Sequence, residues 1–389
     1  MIYDSVDKLQ KVLVKEVFHY SKDAKKAAGR ALGTLVEIIT YYLMKEWDFA
    51  TSIAIERRLP EYGNREITHN VEYSLHPIIN TYNCNYAPLN LPITRAKLSK
   101  QCSSFKSVIS KYSNYLNNQL LCERKDALIL RNSCTIAVDD EYSLVVLLDG
   151  ISNESSAQIT MVEILHKPFV IVECKRVGVE EGIKKGPQTI EKAKQGAYVA
   201  RTISSLQKFR DHNGQLSAIL PVRGGEYRIK SYVQLLDEII ASEDPDILSD
   251  FIMTIGVASN HGNWFTSDDS GKELLVLAQS YDWLLFLTDA GISDFINDLI
   301  LSPSNEYQFV KESFRRSYTG ERNVNEFTKV NINYLANLEL QDYFHRNISK
   351  IENWFNVITP PDKSIKELVT QLKILINKDW LKLLNTEQA

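Results

Sequence analysis

A carboxylate and an ammonium directly follow an apolar run near the middle of the sequence. Residues 167–178 read KPFVIVECKRVG, and the apolar stretch 169–172 predicts a β-strand that is buried on both faces. Glu173 and Lys175 lie two residues apart, so their side chains project from the same face of that strand. The two residues form either a structural ion pair or part of a reactive site.

The pair is suited to the hydrolysis of a phosphodiester bond. Glu173, joined by a second carboxylate from a neighbouring strand, would make an oxygen-rich site for Mg²⁺, and the main-chain carbonyl of Cys174 would add a neutral ligand. Lys175 could orient a water or help to deprotonate it, and it would offset phosphate charge. A Lewis acid, an activated water and charge neutralisation are what metal-assisted phosphodiester hydrolysis needs.

This arrangement resembles the PD-(D/E)XK nuclease superfamily, which includes most type II restriction endonucleases. The resemblance depends on Glu173, Cys174 and Lys175 at the end of an apolar strand, an acid upstream and a helix just after, and it covers residues 30–225. It implies a restriction-endonuclease-like core, Mg²⁺ as the cofactor and double-stranded DNA as the substrate. It also implies a homodimer, because a palindromic DNA site has a twofold axis and two strands to cut.

Two residues are candidates for the second metal carboxylate. Asp149, in LLDGI, resembles the family's Asp-Gly at a strand edge, but it lies far upstream of Glu173. Glu163, in TMVEIL, is closer, and a tight turn at 166–168 would place it beside the strand of Glu173. Geometry favours Glu163 and residue type favours Asp149. We prefer Asp149 and keep both as catalytic and metal-binding candidates.

Two predicted helices add further candidates. Glu37 lies in the apolar stretch 29–43, where several restriction enzymes carry an extra metal-site carboxylate. A buried acid needs a partner, and an exposed position on an amphipathic helix is the alternative. Lys194 and Gln195, on the helix after the motif, could contact the scissile phosphate. The spacing from Gln195 to Tyr198 is one residue short of the QxxxY pattern of RecB-like nucleases, which weakens that assignment.

The charge distribution favours a nucleic-acid partner more than the net charge of −4 does. Residues 95–122 contain five basic residues and no acid, residues 176–210 contain eight basic residues and three acids, and residues 231–300 are strongly acidic. This segregation predicts one electropositive and one acidic surface. Arg, Asn and Gln are residues that read base edges. The candidate DNA-binding residues are Arg57, Arg58, Arg65, Lys97, Lys100, Lys106, Lys194 and Gln195.

Composition argues against several functional classes. No apolar run among the 389 residues approaches the ~18 residues of a membrane span, and the first ten residues carry acids where a signal peptide would be basic. The five cysteines are odd in number and never spaced as CxxC, which predicts reduced thiols, no structural zinc and a cytoplasmic location. No GxxxxGK[ST] motif is present, so we expect no nucleotide cofactor.

The pattern of elements predicts an α/β fold with a mixed central β-sheet flanked by helices and a mainly helical C-terminal part. The predicted strands are 67–78, 134–138, 142–151, 158–165, 169–175, 216–222 and 251–259. The predicted helices are 2–20, 22–48, 95–121 and 187–210, with a mostly helical pattern after residue 270. We assign residues 1–300 to a nuclease domain that includes the DNA-recognition elements, and residues 301–389 to a helical subdomain.

Taken together, these features predict a type II restriction endonuclease, which hydrolyses phosphodiester bonds in double-stranded DNA at specific sites with Mg²⁺. One alternative is a repair, recombination or RecB-like nuclease that acts on ends or junctions. A second alternative, outside catalysis, is a DNA-binding module in which Glu173 and Lys175 have no catalytic role.

Overall fold

The described residues contain both helices and strands, with most of the strands in the first two thirds of the chain. The computed structural model describes residues 6–19, 21, 23–112, 114–117, 119–152, 155–177, 187–222, 225–260, 272–319 and 325–385. The helices are α1 (Val6–Glu16), α2 (Ala24–Glu46), α3 (Arg95–Gln101), α4 (Ser103–Lys111), α5 (Pro187–Ile203), α6 (Tyr232–Ala241), α7 (Pro245–Leu248), α8 (Lys272–Ala278), α9 (Asp289–Ile296), α10 (Gln308–Thr319), α11 (Tyr334–Glu352), α12 (Ile365–Ile376) and α13 (Trp380–Asn385). The strands are β1 (Ile53–Pro60), β2 (Thr68–Leu75), β3 (Ile78–Tyr86), β4 (Ile93–Thr94), β5 (Leu120–Arg124), β6 (Leu128–Arg131), β7 (Cys134–Val138), β8 (Tyr142–Ser152), β9 (Ser156–Leu165), β10 (Val170–Val177), β11 (Gln207–Arg210), β12 (Leu216–Val222), β13 (Glu226–Ser231), β14 (Met253–Asn260), β15 (Trp283–Leu287), β16 (Asn331–Asn333) and β17 (Phe355–Thr359).

Six strands form the sheet that carries Glu173, here called the central sheet. Their order is β1-β2-β10-β14-β15-β17. Strands β10, β14 and β15 are parallel, and β1, β2 and β17 pair antiparallel with their neighbours. The sheet is therefore mixed, as the sequence predicted.

Helices cover both faces of the central sheet around β10. Cys174 contacts Thr40 of α2, whereas Lys175 lies against Gly196 of α5. Consecutive residues of a strand point to opposite faces, so α2 and α5 lie on opposite sides of β10. This double coverage explains the continuous apolar run at 169–172, since a strand enclosed on both faces has no solvated side to fill with polar residues.

A second sheet contains the antiparallel strands β3-β9-β8-β7. The chain crosses between the two sheets twice, from β2 to β3 and from β9 to β10. The crossings are adjacent, because Leu165 N–H donates to the carbonyl of Pro77 (3.0 Å) and Phe169 N–H donates to that of Leu75 (2.9 Å). The chain does bend at 166–168, but the bend leads into another sheet. Strand β9 is therefore not the neighbour of β10.

The predicted boundary between residues 300 and 301 does not divide the sheets. Strand β17 pairs with β15 at the edge of the central sheet, and β16 pairs with β6 in a third sheet of order β16-β6-β5-β4. A small sheet of order β11-β12-β13 completes the strands. The mainly helical C-terminal part thus supplies strands to two sheets built by the rest of the chain.

The basic segment predicted as one helix over 95–121 is instead two short helices and a strand. The helices α3 and α4 are divided at Cys102, whose backbone is extended (φ −103°, ψ 98°). Cys102 forms a disulfide with Cys84 of β3, with an S–S distance of 2.02 Å. The prediction of five reduced cysteines is therefore wrong for this pair, while Cys122, Cys134 and Cys174 are free and buried.

The α/β fold class and the mixed central sheet are confirmed by this arrangement. Among the described residues, no helix combines the length and the apolar character needed to cross a membrane.

Candidate active site

The candidate site lies where β2 and β10 diverge. The two strands pair from Val170–Leu75 to Val172–Tyr73, and the ladder ends there. At the next position the carboxylates of Glu72 and Glu173 enter the gap. Glu72 N–H donates to Glu173 Oε1 at 3.0 Å, and Cys174 N–H donates to Glu72 Oε2 at 2.6 Å. Each carboxylate thus replaces a lost backbone partner and keeps its second oxygen for other contacts.

Lys175 bridges those second oxygens. Its Nζ lies 3.0 Å from Glu173 Oε2 and 3.9 Å from Glu72 Oε1. The side chain of Glu173 is 5% exposed and that of Lys175 is 32% exposed, so the acid lies at the bottom of the site and the ammonium opens toward solvent. The sequence prediction that Glu173 and Lys175 share a face is confirmed by this contact.

The main chain of Cys174 also faces the gap. The N–H and the carbonyl of one residue in an extended strand point to the same side, and the Cys174 N–H points toward Glu72. Its carbonyl therefore faces the gap between β2 and β10, which is where the predicted neutral ligand is needed. The Cys174 thiol points away and donates to Thr40 Oγ1 at 3.4 Å.

Glu37 and Lys329 extend the charged cluster on the α2 side. Lys329 Nζ lies 3.6 Å from Glu37 Oε2 and 3.7 Å from Glu56 Oε1. Tyr73 O–H donates to the main-chain carbonyl of Glu37 at 2.8 Å, which fixes α2 on β2. Burial raises the pKa of Glu72, and the charge of Lys329 opposes that rise. Glu37 is thus an ion-paired residue at the rim of the cluster and not a free surface acid.

Burial governs the electrostatics of the cluster. Burial raises the pKa of Glu173 and of Glu72, and the charge of Lys175 opposes both rises. The neighbouring carboxylate of Glu72 raises the pKa of Glu173 further, and that of Glu37 raises the pKa of Glu72 further. Burial also raises the pKa of Glu37. For Lys175 burial alone lowers the pKa, but the two carboxylates outweigh it and the net shift is upward. Lys175 stays protonated at neutral pH. An additional positive charge near Glu72 and Glu173 would stabilise their ionised forms.

A buried tyrosine and a glycine form the wall behind Lys175. Tyr281 O–H donates to the carbonyl of Gly196 on α5 at 3.2 Å. A Cβ at position 196 would lie 3.0 Å from that phenol oxygen and 3.1 Å from Lys175 Cε. On β14, a Cβ at Gly256 would lie 2.8 Å from the Tyr281 ring. Both glycines let the backbone approach closely enough to set the position of the lysine stem.

The two predicted upstream acids lie elsewhere. Asp149 and Glu163 are on β8 and β9 of the second sheet. Asp149 accepts from Thr160 at 2.8 Å, and Glu163 accepts from Tyr112 O–H at 2.6 Å and from Asn80 at 2.7 Å. The prediction that one of them shares the face of Glu173 is corrected to Glu72, because β2 and not β9 is the neighbour of β10.

The candidate DNA-binding residues differ in their exposure. Arg57 is 8% exposed, and its Nε and Nη2 have no hydrogen-bond partner among the described residues, so it is not available on the surface as predicted. Lys97 donates to the carbonyls of Asn90 and Leu91. The side chain of Lys194 lies outside the described residues. The exposed candidates are Arg58, Arg65, Lys100, Lys106 and Gln195.

Sequence reasoning missed Glu72 and Lys329. Glu72 carried a usable signal, since it is a lone carboxylate between Val71 and Tyr73 inside a predicted strand. Lys329 carried no local signal, because it lies just before the short strand β16 and reaches the site only through the fold.

The donor set is compatible with Mg²⁺ held by two protein carboxylates. Within the described ranges, no three Asp, Glu, His or Cys side chains are grouped to hold a metal ion. Mg²⁺ is commonly held by one or two carboxylates, with waters and substrate phosphates completing its shell. Glu72 and Glu173 offer oxygen atoms on either side of the Lys175 ammonium, so their arrangement already accommodates positive charge between them.

Comparison with family models, with curated proteins and with solved structures gave no match. The functional conclusions therefore depend on the geometry of the site.

Proposed function

We propose that the chain is a Mg²⁺-dependent DNA endonuclease with a restriction-endonuclease-like core, and that it acts as a type II restriction enzyme. The observation that carries the proposal is the gap between β2 and β10, where Glu72, Glu173 and Lys175 meet within 3.9 Å. Two carboxylates and an ammonium at the divergence of two strands are the groups that phosphodiester hydrolysis with a divalent cation requires.

The residues of the site have separate roles in this reaction. Glu72 and Glu173 would hold a Mg²⁺ ion, and the carbonyl of Cys174 would serve as a neutral ligand. The chemistry that Mg²⁺ supplies when bound is polarisation of the phosphate and acidification of a water. Lys175, whose pKa is raised chiefly by Glu173 and Glu72 against the effect of burial, acts as a hydrogen-bond donor and a positive charge, not as a base.

The proton of the attacking water needs an acceptor. Burial raises the pKa of Glu37, Glu72 and Glu173 above the usual glutamate range. A higher pKa makes a carboxylate a stronger base. The rim position of Glu37, outside the Glu72–Glu173 pair, suits it to receive this proton directly or through a water.

The substrate is double-stranded DNA, bound by the exposed basic residues that the sequence predicted. Arg58, Arg65, Lys100 and Lys106 are exposed and would neutralise backbone phosphates. Cleavage of both strands of a palindromic sequence requires two such sites, which is the reason for proposing a homodimer.

Incubation of the purified chain with supercoiled plasmid tests the proposal. Wild type should yield discrete fragments with Mg²⁺ and none with EDTA, and Glu173→Gln should leave the plasmid intact. A smear of fragments would contradict restriction activity and would indicate a nuclease that acts on DNA ends or without sequence preference. An intact plasmid at every Mg²⁺ concentration, with folded protein that still binds DNA, would leave only the binding-module alternative.

A further inference from the structure

A polar cavity of about 120 Å³ lies beside the candidate site. It is enclosed by β1, by the turn between β6 and β7, and by the segment that leads into β16. The polar residues of its lining are Glu56, Gln119, Arg131, Asn132, Ser133 and Thr135.

Side-chain hydrogen bonds hold the turn that forms the floor of this cavity. The Ser133 hydroxyl donates to the carbonyl of Ile53 on β1. Asn132 donates from its backbone N–H to the carbonyl of Val330 at 2.8 Å, and from Nδ2 to the carbonyl of Lys329 at 3.1 Å. The turn is thereby tied both to the central sheet and to the segment that carries the second lysine of the site.

The cavity continues from the charged cluster through Glu56. This residue lines the cavity, and its Oε1 lies 3.7 Å from Lys329 Nζ, which in turn lies 3.6 Å from Glu37. On β1, Glu56 falls between the pairs Ile55–Tyr73 and Arg57–Val71. Glu56 is therefore opposite Glu72. A ligand in the cavity would lie next to a substrate that is bound at the gap between β2 and β10.

Part of the lining is free to bind a ligand. Within the described part of the chain, the side chains of Arg131 and Thr135 make no hydrogen bond or ion pair. Gln119 accepts a long contact from Cys134 Sγ at 4.0 Å, and the described residues offer its side chain no closer hydrogen bond. Thr135 is 8% exposed. Arg131 is half-buried, and its guanidinium and the Thr135 hydroxyl therefore keep their hydrogen-bonding groups available for a ligand or for water.

The character of the lining selects the kind of ligand. Drug-sized ligands need pockets of roughly 300–1,000 Å³, so this cavity is too small for them, but it exceeds the roughly 30 Å³ that one water occupies. The carboxylate of Glu56 would repel a phosphate. In the same cavity, Glu56 offers a hydrogen-bond acceptor and the guanidinium of Arg131 offers donors. The edge of a nucleobase presents donors and acceptors together, and Arg, Gln and Asn are the side chains that pair with such edges.

We propose that this cavity binds one nucleobase of the DNA substrate and so contributes to sequence specificity. The proposal depends on the proposed function for the identity of the substrate. Arg131 and Gln119 are assigned to the base edge, and Thr135 to a further hydrogen bond. None of the three belongs to the cleavage machinery, so their replacement should alter which DNA is chosen and not the reaction itself.

A binding selection tests the proposal without depending on cleavage. Wild type, Arg131→Met, Thr135→Val and the matched surface control Arg124→Met are each incubated with duplexes of randomised core sequence in a Ca²⁺ buffer, and the bound fraction is sequenced. Arg124 is on β5 of the same sheet and is exposed. Wild type and Arg124→Met should select one shared motif. Arg131→Met should lose discrimination at a single base position by roughly tenfold or more, and Thr135→Val should change the same position.

The outcomes separate this inference from the proposed function. An unchanged motif in both Arg131→Met and Thr135→Val, or the absence of any motif for wild type, overturns base binding by the cavity even when plasmid cleavage is observed. A motif that loses one position in Arg131→Met, together with no cleavage by wild type in Mg²⁺, supports the cavity and overturns the endonuclease assignment.

Discussion

The carboxylates of Glu72 and Glu173 do two things at once. Each accepts a backbone N–H that the diverging strands leave without a ladder partner, and each directs its other oxygen toward Lys175. A glutamine of the same size can still accept the backbone hydrogen bond through its amide oxygen but carries no negative charge. Neutral substitution therefore separates the structural role from the proposed catalytic role.

We expect Glu72→Gln and Glu173→Gln each to lower the rate of plasmid cleavage by about 10²-fold or more, because each removes a charge that acts on the transition state. Thermal unfolding should show that both variants remain folded. The controls are Asp149→Asn and Glu163→Gln, which should retain cleavage within roughly tenfold, since these acids lie in the second sheet. Loss of cleavage in Asp149→Asn with normal cleavage in Glu72→Gln would move the site to the second sheet.

The raised pKa of Glu72 predicts opposite pH trends for stability and activity. Burial, the largest cause, raises this pKa, so the folded state binds the proton more tightly than the unfolded state. The contribution of Glu72 to the free energy of unfolding is fully present below the usual glutamate pKa, and it is lost as pH rises through the raised pKa. Cleavage should change in the other direction, since a protonated carboxylate does not hold a divalent cation.

Measurement of unfolding temperature and cleavage rate from mildly acidic to neutral pH tests this prediction. Across that window, wild type should lose stability and gain activity as pH rises. In Glu72→Gln the stability should depend less on pH, and at neutral pH it should equal or exceed that of wild type. A steeper pH dependence of stability in the variant would contradict the assigned direction of the pKa shift.

Lys329 acts on the acids of the site and is a positioning residue. Its charge lowers the pKa of both Glu37 and Glu72, opposing burial. Lys329→Met should therefore shift the acidic limb of the cleavage profile to higher pH, whereas Lys329→Arg, which keeps the charge, should leave that limb near its wild-type position. Identical profiles for Lys329→Met and wild type would show that the lysine is only structural.

At the scale of elements, local pattern was sufficient for β10, for β2 within the predicted strand over 67–78, and for the first part of the predicted helix over 187–210, but not for the order of the strands. That helix ends at Ile203, and the residues 207–210 form β11 instead. The apolar run at 169–172 is buried on both faces because helices enclose it, so it could be identified from sequence alone. The contact between Glu72 and Glu173 joins residues separated by 101 positions. The chain crosses between sheets at 166–168, and nothing in those residues specifies which strand β10 will join.

The close approach of α5 to Lys175 gives a prediction for Gly196. An added methyl group would lie 3.1 Å from Lys175 Cε and 3.0 Å from the Tyr281 phenol oxygen, so the lysine stem must move. Gly196→Ala should lower the cleavage rate although alanine favours the helix by roughly 0.5–1 kcal/mol. Gly33→Ala on α2 is the matched control, because no atom of the described residues lies within 4 Å of its added Cβ.

The control should gain up to about 1 kcal/mol in unfolding free energy and keep full activity. Denaturant unfolding and initial cleavage rates measured on both variants make the comparison. Equal activity of Gly196→Ala and Gly33→Ala would mean that the position of the Lys175 stem does not limit the reaction.

For the whole molecule, the part of the chain after residue 300 packs together with the strands before it. It supplies β17 to the edge of the central sheet and Lys329 to the charged cluster. The helical periodicity of this region was visible in the sequence, but short strands such as β16 and β17 have too few residues to show an alternating pattern. The division into two parts at residue 300 therefore followed secondary structure and not the packing.

The segregation of charge along the chain predicts which surface responds to salt. Lys100 and Lys106 lie on α3 and α4 and are exposed, and each lost phosphate contact removes about 0.9 from the slope of log affinity against log salt. The double substitution Lys100→Ala and Lys106→Ala should flatten this slope by roughly 1 to 2 and weaken specific and non-specific DNA alike. The control pair is Lys366→Ala and Lys373→Ala on α12, which should leave the slope unchanged. Titrations of labelled duplex at several salt concentrations measure both. A slope that changes only in the α12 pair would place the DNA on the C-terminal side of the molecule, whatever the fate of the endonuclease assignment.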